Sequence, residues 1–253
     1  CGEEHPEVAR VLNDLAESLF AQNKVEPARR LLEKALHIQE KSLLPKDSRL
    51  SRTRCNLASV YVTRGRFAEA VRLYERDLAD HQSLQVPDKA LLATSLNNLA
   101  EALRSLGRNA EAEQRLEHAL ALREELVGPD HPHVAQVLNN LGYLHLQQHR
   151  YAKASECLQR ALQIRESCLS ADHPHLATTL GTLAEIQFAQ GQYEAARPLY
   201  LRSIEIARNA FGERHPQVAS LQICSARNEL RLGHVGRAEL MFLRGRATVE
   251  DIL

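Results

Sequence analysis

Apolar residues recur along this chain at the spacing of an α-helix, most clearly in its middle third. Within Ala90–Leu106 they lie at relative positions 0, 4, 7, 8 and 11, which together form one helical face. A second face follows within Asn109–Leu126, and Gly107 separates the two because glycine accepts the positive φ of a helix end. Gly128-Pro129 ends the second segment. The pattern therefore predicts two antiparallel helices, here called A and B, joined by a short turn.

This helix pair repeats every 42 residues, and no insertion or deletion is needed to keep the register. The dipeptide His131-Pro132 recurs at His173-Pro174 and again at His215-Pro216. A leucine keeps the same step at Leu15, Leu57, Leu99, Leu141 and Leu183. An alanine keeps it at Ala28, Ala70, Ala112, Ala154, Ala196 and Ala238. A fixed period between about twenty and fifty residues is typical of a solenoid.

The period predicts an all-α fold, an α-solenoid of about six helix-turn-helix repeats that form one domain over residues 1–253. The expected repeats are about 5–46, 47–88, 89–130, 131–172, 173–214 and 215–253. Repeat six is degenerate, because Ser225 replaces the leucine, Asn228 falls beside the apolar stripe and Gly245 replaces an alanine. These substitutions suit a capping role, since an end repeat has no following neighbour to cover it.

Turn residues explain where the helices begin and end. Proline fits the first turn of a helix, where its missing N–H costs nothing. The A helices of four repeats are therefore expected to start at Pro6, Pro132, Pro174 and Pro216. Repeat two has no proline there, but Asp47 or Ser48 can cap the helix. Asn23 and His149 occupy the turn between the two helices where glycine is usual, and asparagine tolerates the left-handed conformation.

Several of these residues resemble the tetratricopeptide repeat: Leu99-Ala100, Gly107, Ala112 and Ala119, within a helix-turn-helix. That repeat usually has about 34 residues. The form here has 42 and reads GPDHPHVAQVLNNLGYLHLQQHRYAKASECLQRALQIRE at Gly128–Glu166. It is similar, over nearly the whole chain, to the repeats of kinesin light chains and of nephrocystin-3. The resemblance implies a right-handed superhelix whose A helices line a concave, peptide-binding groove.

A stripe along the A helices is expected to face that groove, because residues at relative positions 0, 3, 7 and 10 share a helical face. The stripe mixes amides, charges and apolar groups, which suits an extended peptide, since asparagine both donates to and accepts from a peptide backbone. The candidate peptide-binding residues are Arg10, Asn13, Arg52, Asn97, Glu101, Arg104, Asn139, Tyr143, Leu146, Glu185 and Phe188. We expect the centre of the site near repeats three and four, where Asn97 and Asn139 are equivalent.

Two other kinds of ligand fit these residues less well. Family members that bind chaperone tails clamp a terminal carboxylate with Lys and Asn, but this chain has Asn97 and Glu101 at those positions. Two His-Pro-His motifs, His131–His133 and His173–His175, invite a metal site. Stacked repeats hold equivalent residues about 10 Å apart, which is too far to share one ion at a bond length of ~2 Å. We therefore expect no metal and no other cofactor.

Composition narrows the function further. The 32 basic and 32 acidic residues give a formal net charge of zero, whereas nucleic-acid binders usually show a basic excess. No apolar run approaches the roughly 18 residues that cross a bilayer, and no signal peptide is visible, although Cys1 suggests a fragment. The five cysteines lack CxxC spacing, which favours a reducing compartment, the cytoplasm. Cys157 and Cys224 fall on helical faces, so we expect them to be core thiols.

No catalytic motif is present, because the sequence has no Gly-rich phosphate loop, no HExxH and no GxSxG. We therefore expect a non-enzymatic scaffold. The first hypothesis is a cytoplasmic adaptor that holds a partner protein's linear peptide, as the resemblance to kinesin light chains implies. The second is a sensor or oligomerisation module of a larger signalling ATPase, and the third is a spacer without a groove ligand. Upstream heptads would favour the adaptor, and an upstream GxxxxGK[ST] motif would favour the ATPase.

Overall fold

The computed structural model describes residues 4–44, 47–83 and 88–250, with side chains described as far as Thr248. Over these residues the chain forms twelve α-helices and no strand, which confirms the all-α prediction. The helices are α1 (Pro6–Ala21), α2 (Val25–Ser42), α3 (Ser48–Thr63), α4 (Phe67–Gln82), α5 (Lys89–Ser105), α6 (Asn109–Val127), α7 (Pro132–Gln147), α8 (Tyr151–Cys168), α9 (Pro174–Ala189), α10 (Tyr193–Phe211), α11 (Pro216–Arg231) and α12 (Val235–Glu250). Odd-numbered helices are the A helices and even-numbered helices the B helices of six repeats. In the described ranges, no helix is long and apolar enough to cross a bilayer.

The A helices begin where the turn chemistry places them. Four start at the predicted prolines, and in each the preceding histidine is the N-cap. The Nδ1 atom of each of these histidines accepts a hydrogen bond of 3.2 Å from the backbone N–H two residues later. In repeat two the cap is Asp47 rather than Ser48, because the Asp47 carboxylate accepts from the Arg49 N–H at 2.9 Å. Among the described residues, no group of three His, Cys, Asp or Glu side chains is placed to hold a metal ion.

In the turns inside repeats one and four, a residue other than glycine adopts the left-handed backbone conformation. Asn23 has a φ of 60° and His149 a φ of 58°, near the 77° of Gly107 and the 76° of Gly191. The His149 ring also makes a 3.0 Å hydrogen bond with the Tyr151 hydroxyl, which helps to hold this turn. The prediction that Asn23 takes the place of glycine is confirmed.

The chain divides into two compact bodies, Cys1–Leu126 and Val127–Leu253. In the N-terminal body, α2 packs on both α1 and α3, and α4 packs on both α3 and α5. In the C-terminal body, α8 and α10 likewise each pack between the A helix of their own repeat and that of the next. Each B helix in these joints therefore contributes to two layers of core.

One of these joints is unusually close. Leu158 on α8 is fully buried, and Gly142 on α7 faces it. A Cβ atom on Gly142 would lie 2.5 Å from Cγ of Leu158. Every other repeat has alanine at this position: Ala16, Ala58, Ala100, Ala184 and Ala226. The α7–α8 contact thus depends on the missing methyl group.

The unusual residues of repeat six lie inside the repeat rather than on an outer face. Ser225 and Asn228 are buried. A Cβ atom on Gly245 would lie 2.9 Å from the carbonyl oxygen of Ala219, so Gly245 permits close approach of α12 to α11. These residues therefore do not give repeat six a polar cap. Its last two helices instead expose apolar side chains, at Leu230, Val235, Leu240, Phe242 and Leu243.

Candidate functional site

The predicted groove stripe falls on both bodies. The N-terminal body carries Arg10, Asn13, Arg52, Asn97, Glu101 and Arg104. The C-terminal body carries Asn139, Tyr143, Leu146, Glu185 and Phe188.

In the N-terminal body, two of the predicted residues, Asn13 and Arg52, lie around Glu17. Arg52 donates to the two carboxylate oxygens of Glu17 at 3.0 and 2.9 Å, and Asn13 donates at 3.1 Å. Asn56 donates at 2.6 Å. These hydrogen bonds, above all those from Arg52, lower the pKa of Glu17. Arg10 pairs with two acidic residues of its own helix, so the polar groups of this surface are largely engaged with one another.

Asn97 does not present the free amide that the stripe suggested. Its side chain is only 7% exposed, and its Nδ2 atom donates to Asn98 Oδ1 at 3.3 Å. That expectation is wrong, because the packing around α5 covers the Asn97 side chain. Glu101 is exposed and Arg104 is half-buried, and their contact with a ligand stays a prediction.

Asn139 is also buried, at 9% exposure, and it joins three helices of the C-terminal body. Its Oδ1 atom accepts hydrogen bonds from Thr179 Oγ1 at 3.2 Å and from Arg165 Nη1 at 3.3 Å. Arg165 also donates to the His175 carbonyl oxygen at 2.8 Å. Burial lowers the pKa of Arg165 to about 10. The expectation of a free Asn139 is therefore wrong, because its amide satisfies a buried cation on the neighbouring B helix.

Asn139→Ala is expected to lower the free energy of unfolding by about 1–3 kcal/mol, because Arg165 then loses an acceptor in a buried place. Denaturant unfolding of the whole chain measures the change. Gln136→Ala is the matched control, since Gln136 is an exposed amide on the same helix, and it should stay within about 0.5 kcal/mol of the unaltered chain. An unchanged midpoint for Asn139→Ala would show that the amide does not support this joint.

Three predicted residues, Tyr143, Leu146 and Glu185, line one recess of about 440 Å³ in the C-terminal body. That volume falls in the range of small-ligand sites, roughly 300–1,000 Å³. The walls of the recess come from α7, α9, α10 and α11. Its lining residues are Tyr143, Leu146, Gln147, Thr178, Gly181, Thr182, Glu185, Tyr200, Gln217, Ser220, Leu221, Cys224 and Arg227.

The recess depends on a missing side chain at Gly181. This residue occupies the stripe position that is Asn97 in repeat three and Asn139 in repeat four. A Cβ atom on Gly181 would lie 2.7 Å from Cδ2 of Leu221 and 3.3 Å from Oγ of Ser203. Because only hydrogen is there, the Leu221 side chain packs against the backbone of α9 and forms an apolar floor.

One wall of the recess is the ion pair of Arg227 with Glu185, in which both carboxylate oxygens accept hydrogen bonds. Arg227 Nη2 donates to the two carboxylate oxygens of Glu185 at 2.9 and 2.8 Å. The Tyr200 hydroxyl donates to Glu185 Oε1 at 2.5 Å. The Arg227 guanidinium lies 4.8 Å from the centroid of the Phe188 ring, at cation–π distance. Phe188 therefore acts by holding Arg227 in place rather than by lining the recess.

Two ionisable side chains that line the recess, Cys224 and Tyr200, are held in their neutral form. Cys224 is half-buried: it packs against the core cluster of Ala184, Ala196 and Tyr200, as expected of a core thiol, and it also lines the recess. Burial, followed by the charge of Glu185, raises the pKa of its thiol to about 12. Burial, followed by the hydrogen bond to Glu185, also raises the pKa of Tyr200 far above its usual range. Both groups stay neutral near pH 7, and a neutral thiol is a poor nucleophile.

Sequence reasoning missed the part of the recess that α10 and repeat six supply, namely Tyr200, Leu221 and Arg227. Repeat six has Ile223 where repeats three and four have the stripe asparagine, so the stripe itself does not point to this repeat. The sequence does carry a signal for Arg227, because it lies 42 residues after Glu185 and has the opposite charge. Equal register on successive A helices places such a pair side by side.

Solved structures share this fold. BtubC (BKLC) from P. vanneervenii is 22% identical with a TM-score of 0.72, and the match covers 91% of each chain. A Podosopora anserina putative kinesin light chain with nearly identical TPR-like repeats is 25% identical with a TM-score of 0.66, covering 82% of this chain and 98% of that one. The Rap conjugation gene regulator of the plasmid pLS20, in complex with the Phr* peptide, is 19% identical with a TM-score of 0.70, covering 94% and 63%. A comparison with curated proteins found no match.

The sequence also matches two family models, both described as tetratricopeptide repeat. One matches residues 49–125, 91–167, 133–209 and 175–251, and the other matches residues 8–47. Successive matches of the first model start 42 residues apart, which is the period of the chain itself. The matches extend over nearly all of the chain, and this chain therefore belongs to the tetratricopeptide repeat family.

Proposed function

We propose that this chain is a non-enzymatic interaction scaffold that binds a linear segment of a partner protein in the recess of its C-terminal body. The observation that carries the proposal is the recess itself, with its apolar floor at Leu221 and a polar rim. Membership of the tetratricopeptide repeat family supports a role in protein–protein interaction.

The lining indicates which segment fits. Leu146, Leu221 and the ring of Tyr143 offer apolar contact to one large apolar side chain. Polar residues on the A helices can pair with the backbone of an extended peptide; they are Thr178, Thr182, Gln217 and Ser220. Because Glu185 and Arg227 compensate each other, a polyacidic segment gains little. A segment that combines a large apolar residue with one acidic residue, within reach of the exposed Arg227, fits best.

The remaining predicted residues receive separate roles in this proposal. The side chains that reach the surface of the N-terminal body are proposed contacts for a further stretch of the partner: Arg10, Arg52, Glu101 and Arg104. The buried amides of Asn13, Asn97 and Asn139 support the binding surface from beneath and do not touch the partner. This moves the centre of the proposed site from repeats three and four to repeats four, five and six.

Two of the similar solved structures support the proposal. One is a putative kinesin light chain, and the other was solved with a bound peptide. An adaptor of the kinesin light chain type would work in the cytoplasm. Four cysteines in the described ranges are free, which fits a reducing compartment.

Selection of a random peptide library against the whole chain tests the proposal. We expect enriched peptides to share one large apolar residue and to lose binding to the Leu221→Arg variant. They should keep binding to Leu201→Arg, which changes an exposed leucine of α10 outside the recess. Peptides that bind the unaltered chain, Leu221→Arg and Leu201→Arg equally would show that the recess is not the site. A library from which no peptide is enriched would contradict peptide binding.

A further inference from the structure

The outward side of the B helices changes from polar to apolar along the chain. Two positions on each B helix, three residues apart, face away from its buried side. In repeats one to four they hold Arg30 and Glu33, Arg72 and Glu75, Gln114 and Glu117, and Glu156 and Gln159. In repeats five and six they hold Pro198 and Leu201 on α10, and Leu240 and Leu243 on α12. These last four residues, here called the outer patch, are exposed, Leu201 to 43%, Leu240 to 51% and Leu243 to 52%.

Packing of a following repeat leaves these positions open. Arg72 and Glu75 on α4 are exposed although α5 packs on that helix. Leu201 on α10 is exposed although α11 packs on it. The exposure of the outer patch is therefore a property of this side of the B helices at any place in the stack.

Ion pairs join the outward sides of successive B helices. Arg76 of α4 lies 2.8 Å from Glu40 of α2, and Arg202 of α10 lies 2.8 Å from Glu166 of α8. Both pairs occupy the same two positions of the 42-residue repeat. Successive B helices therefore lie side by side, which places the α10 and α12 halves of the outer patch next to each other.

This series of ion pairs breaks between α10 and α12. The same two positions hold Arg208 and Arg244, so a second cation occupies the place of the glutamate. Arg208 pairs instead with Glu213. Among the side chains that the structure describes, neither Arg244 nor Arg237, seven residues earlier on the same face of α12, forms an ion pair. Two exposed cations without such a pair in the described part of the chain therefore border the outer patch.

We propose that the outer patch, together with Arg237 and Arg244, binds an acidic amphipathic helix of a partner protein. A contiguous exposed apolar surface marks an interaction site. Leucines on one face of the partner helix would be buried against the three leucines of the outer patch. Carboxylates beside them would supply the anions that the series of ion pairs lacks at this place.

A helix suits this surface better than an extended segment. The main chain of an extended peptide needs hydrogen-bonding partners wherever it is buried, and none of the four side chains of the outer patch can donate or accept a hydrogen bond. A helix satisfies its own backbone groups and presents only side chains. The outer patch differs in this respect from the recess, which has a polar rim and shares no residue with it.

Charge argues against two other occupants. The same surface of a second copy would set Arg237 and Arg244 against identical arginines, and like charges repel. Anionic membrane surfaces are recognised by clusters of about four to eight basic residues, whereas two such arginines border this patch.

A library of single helices, displayed on a fixed scaffold with one face randomised and selected against the whole chain, tests the proposal. Enriched helices should combine leucine with aspartate or glutamate. Their dissociation constants should rise at least about tenfold with Leu240→Gln and with Leu201→Gln, which replace apolar surface by a neutral amide. Arg244→Gln should weaken binding about twofold to fivefold, as loss of an exposed ion pair does. The matched control is Arg72→Gln, at the position of α4 equivalent to Leu240, and it should leave the affinity unchanged.

Three results would overturn the proposal: no enrichment, enriched helices without acidic residues, or affinity that both Leu240→Gln and Leu201→Gln leave unchanged. It would also fail in favour of another occupant if the chain bound phosphatidylserine vesicles, or associated with itself in sedimentation velocity, and lost that property in Leu240→Gln. Circular dichroism checks that each variant is folded. Leu221→Arg, in the recess, should keep its affinity for the selected helices, so this proposal and the peptide proposal can fail separately.

Discussion

Replacing Leu221 with arginine is expected to weaken the binding of a library-selected peptide by about 2–4 kcal/mol, the range for a residue at the centre of an interface. Leu221 forms the floor that Gly181 makes possible. An arginine there fills the recess and places a second cation beside Arg227. Leu221 is half-buried and packs against a core cluster that includes Leu180 and Val218. Circular dichroism therefore first establishes that the variant is folded, with the stem of the new side chain extended towards solvent. Isothermal titration calorimetry with one selected peptide measures the loss.

Tyr143→Ala provides a second variant whose effect on packing is small, since Tyr143 is an exposed residue of α7. It should also weaken the same peptide, because an aromatic ring leaves the edge of the recess. Leu201→Arg adds the same charge on α10 outside the recess and should bind as the unaltered chain does. Affinity that survives both Leu221→Arg and Tyr143→Ala would place the peptide elsewhere on the protein.

Truncation of Leu158 to alanine is expected to lower the free energy of unfolding by about 2–5 kcal/mol, through lost apolar burial and the cavity that remains. Leu158 is fully buried, and it packs with Leu183 and Ile186 across the joint between repeats four and five. Denaturant unfolding followed by circular dichroism measures the loss. A decrease of less than about 1 kcal/mol would show that the joint collapses around the shorter side chain at little cost.

The same site allows a matched test of close packing. Gly142→Ala alone should destabilise the chain by about 1–3 kcal/mol through overpacking against Leu158, more than offsetting a helix-propensity gain of about 1 kcal/mol. In the Leu158→Ala background the obstructing Cγ atom is gone, so Gly142→Ala should be neutral or stabilising. Strictly additive effects of the two changes would contradict the close contact.

The helices could be predicted from the sequence because their determinants are local. The helix ends follow from apolar spacing, from a proline with a preceding capping residue, and from a glycine or asparagine at the turn. The helix α5, for example, starts within one residue of its predicted first residue, Ala90. The 42-residue period also predicts that equivalent leucines are equally buried, and this prediction is wrong for Leu15, which is exposed. Burial there depends on a neighbouring B helix, and none covers α1 among the described residues.

The site was only partly predictable, for two physical reasons. The stripe along the A helices grouped Tyr143, Leu146 and Glu185, and the structure places all three at one recess. The stripe gave no sign that Asn139 is buried, because the residue that binds its amide oxygen, Arg165, lies on a B helix. Gly181 was missed for a different reason. The recess arises because this residue has no side chain, and a search for ligand-binding groups does not consider such a position.

Photo-crosslinking of a selected peptide tests the central claim most directly. A benzophenone-bearing phenylalanine replaces Tyr143 in one protein and Phe211 in another; each of these aromatic residues is 40% exposed, and only Tyr143 lines the recess. Binding in the recess predicts a crosslinked peptide from position 143, its loss on addition of excess unlabelled peptide, and none from position 211. Competable crosslinking from position 211 with none from position 143 would contradict the assignment of the recess as the binding site.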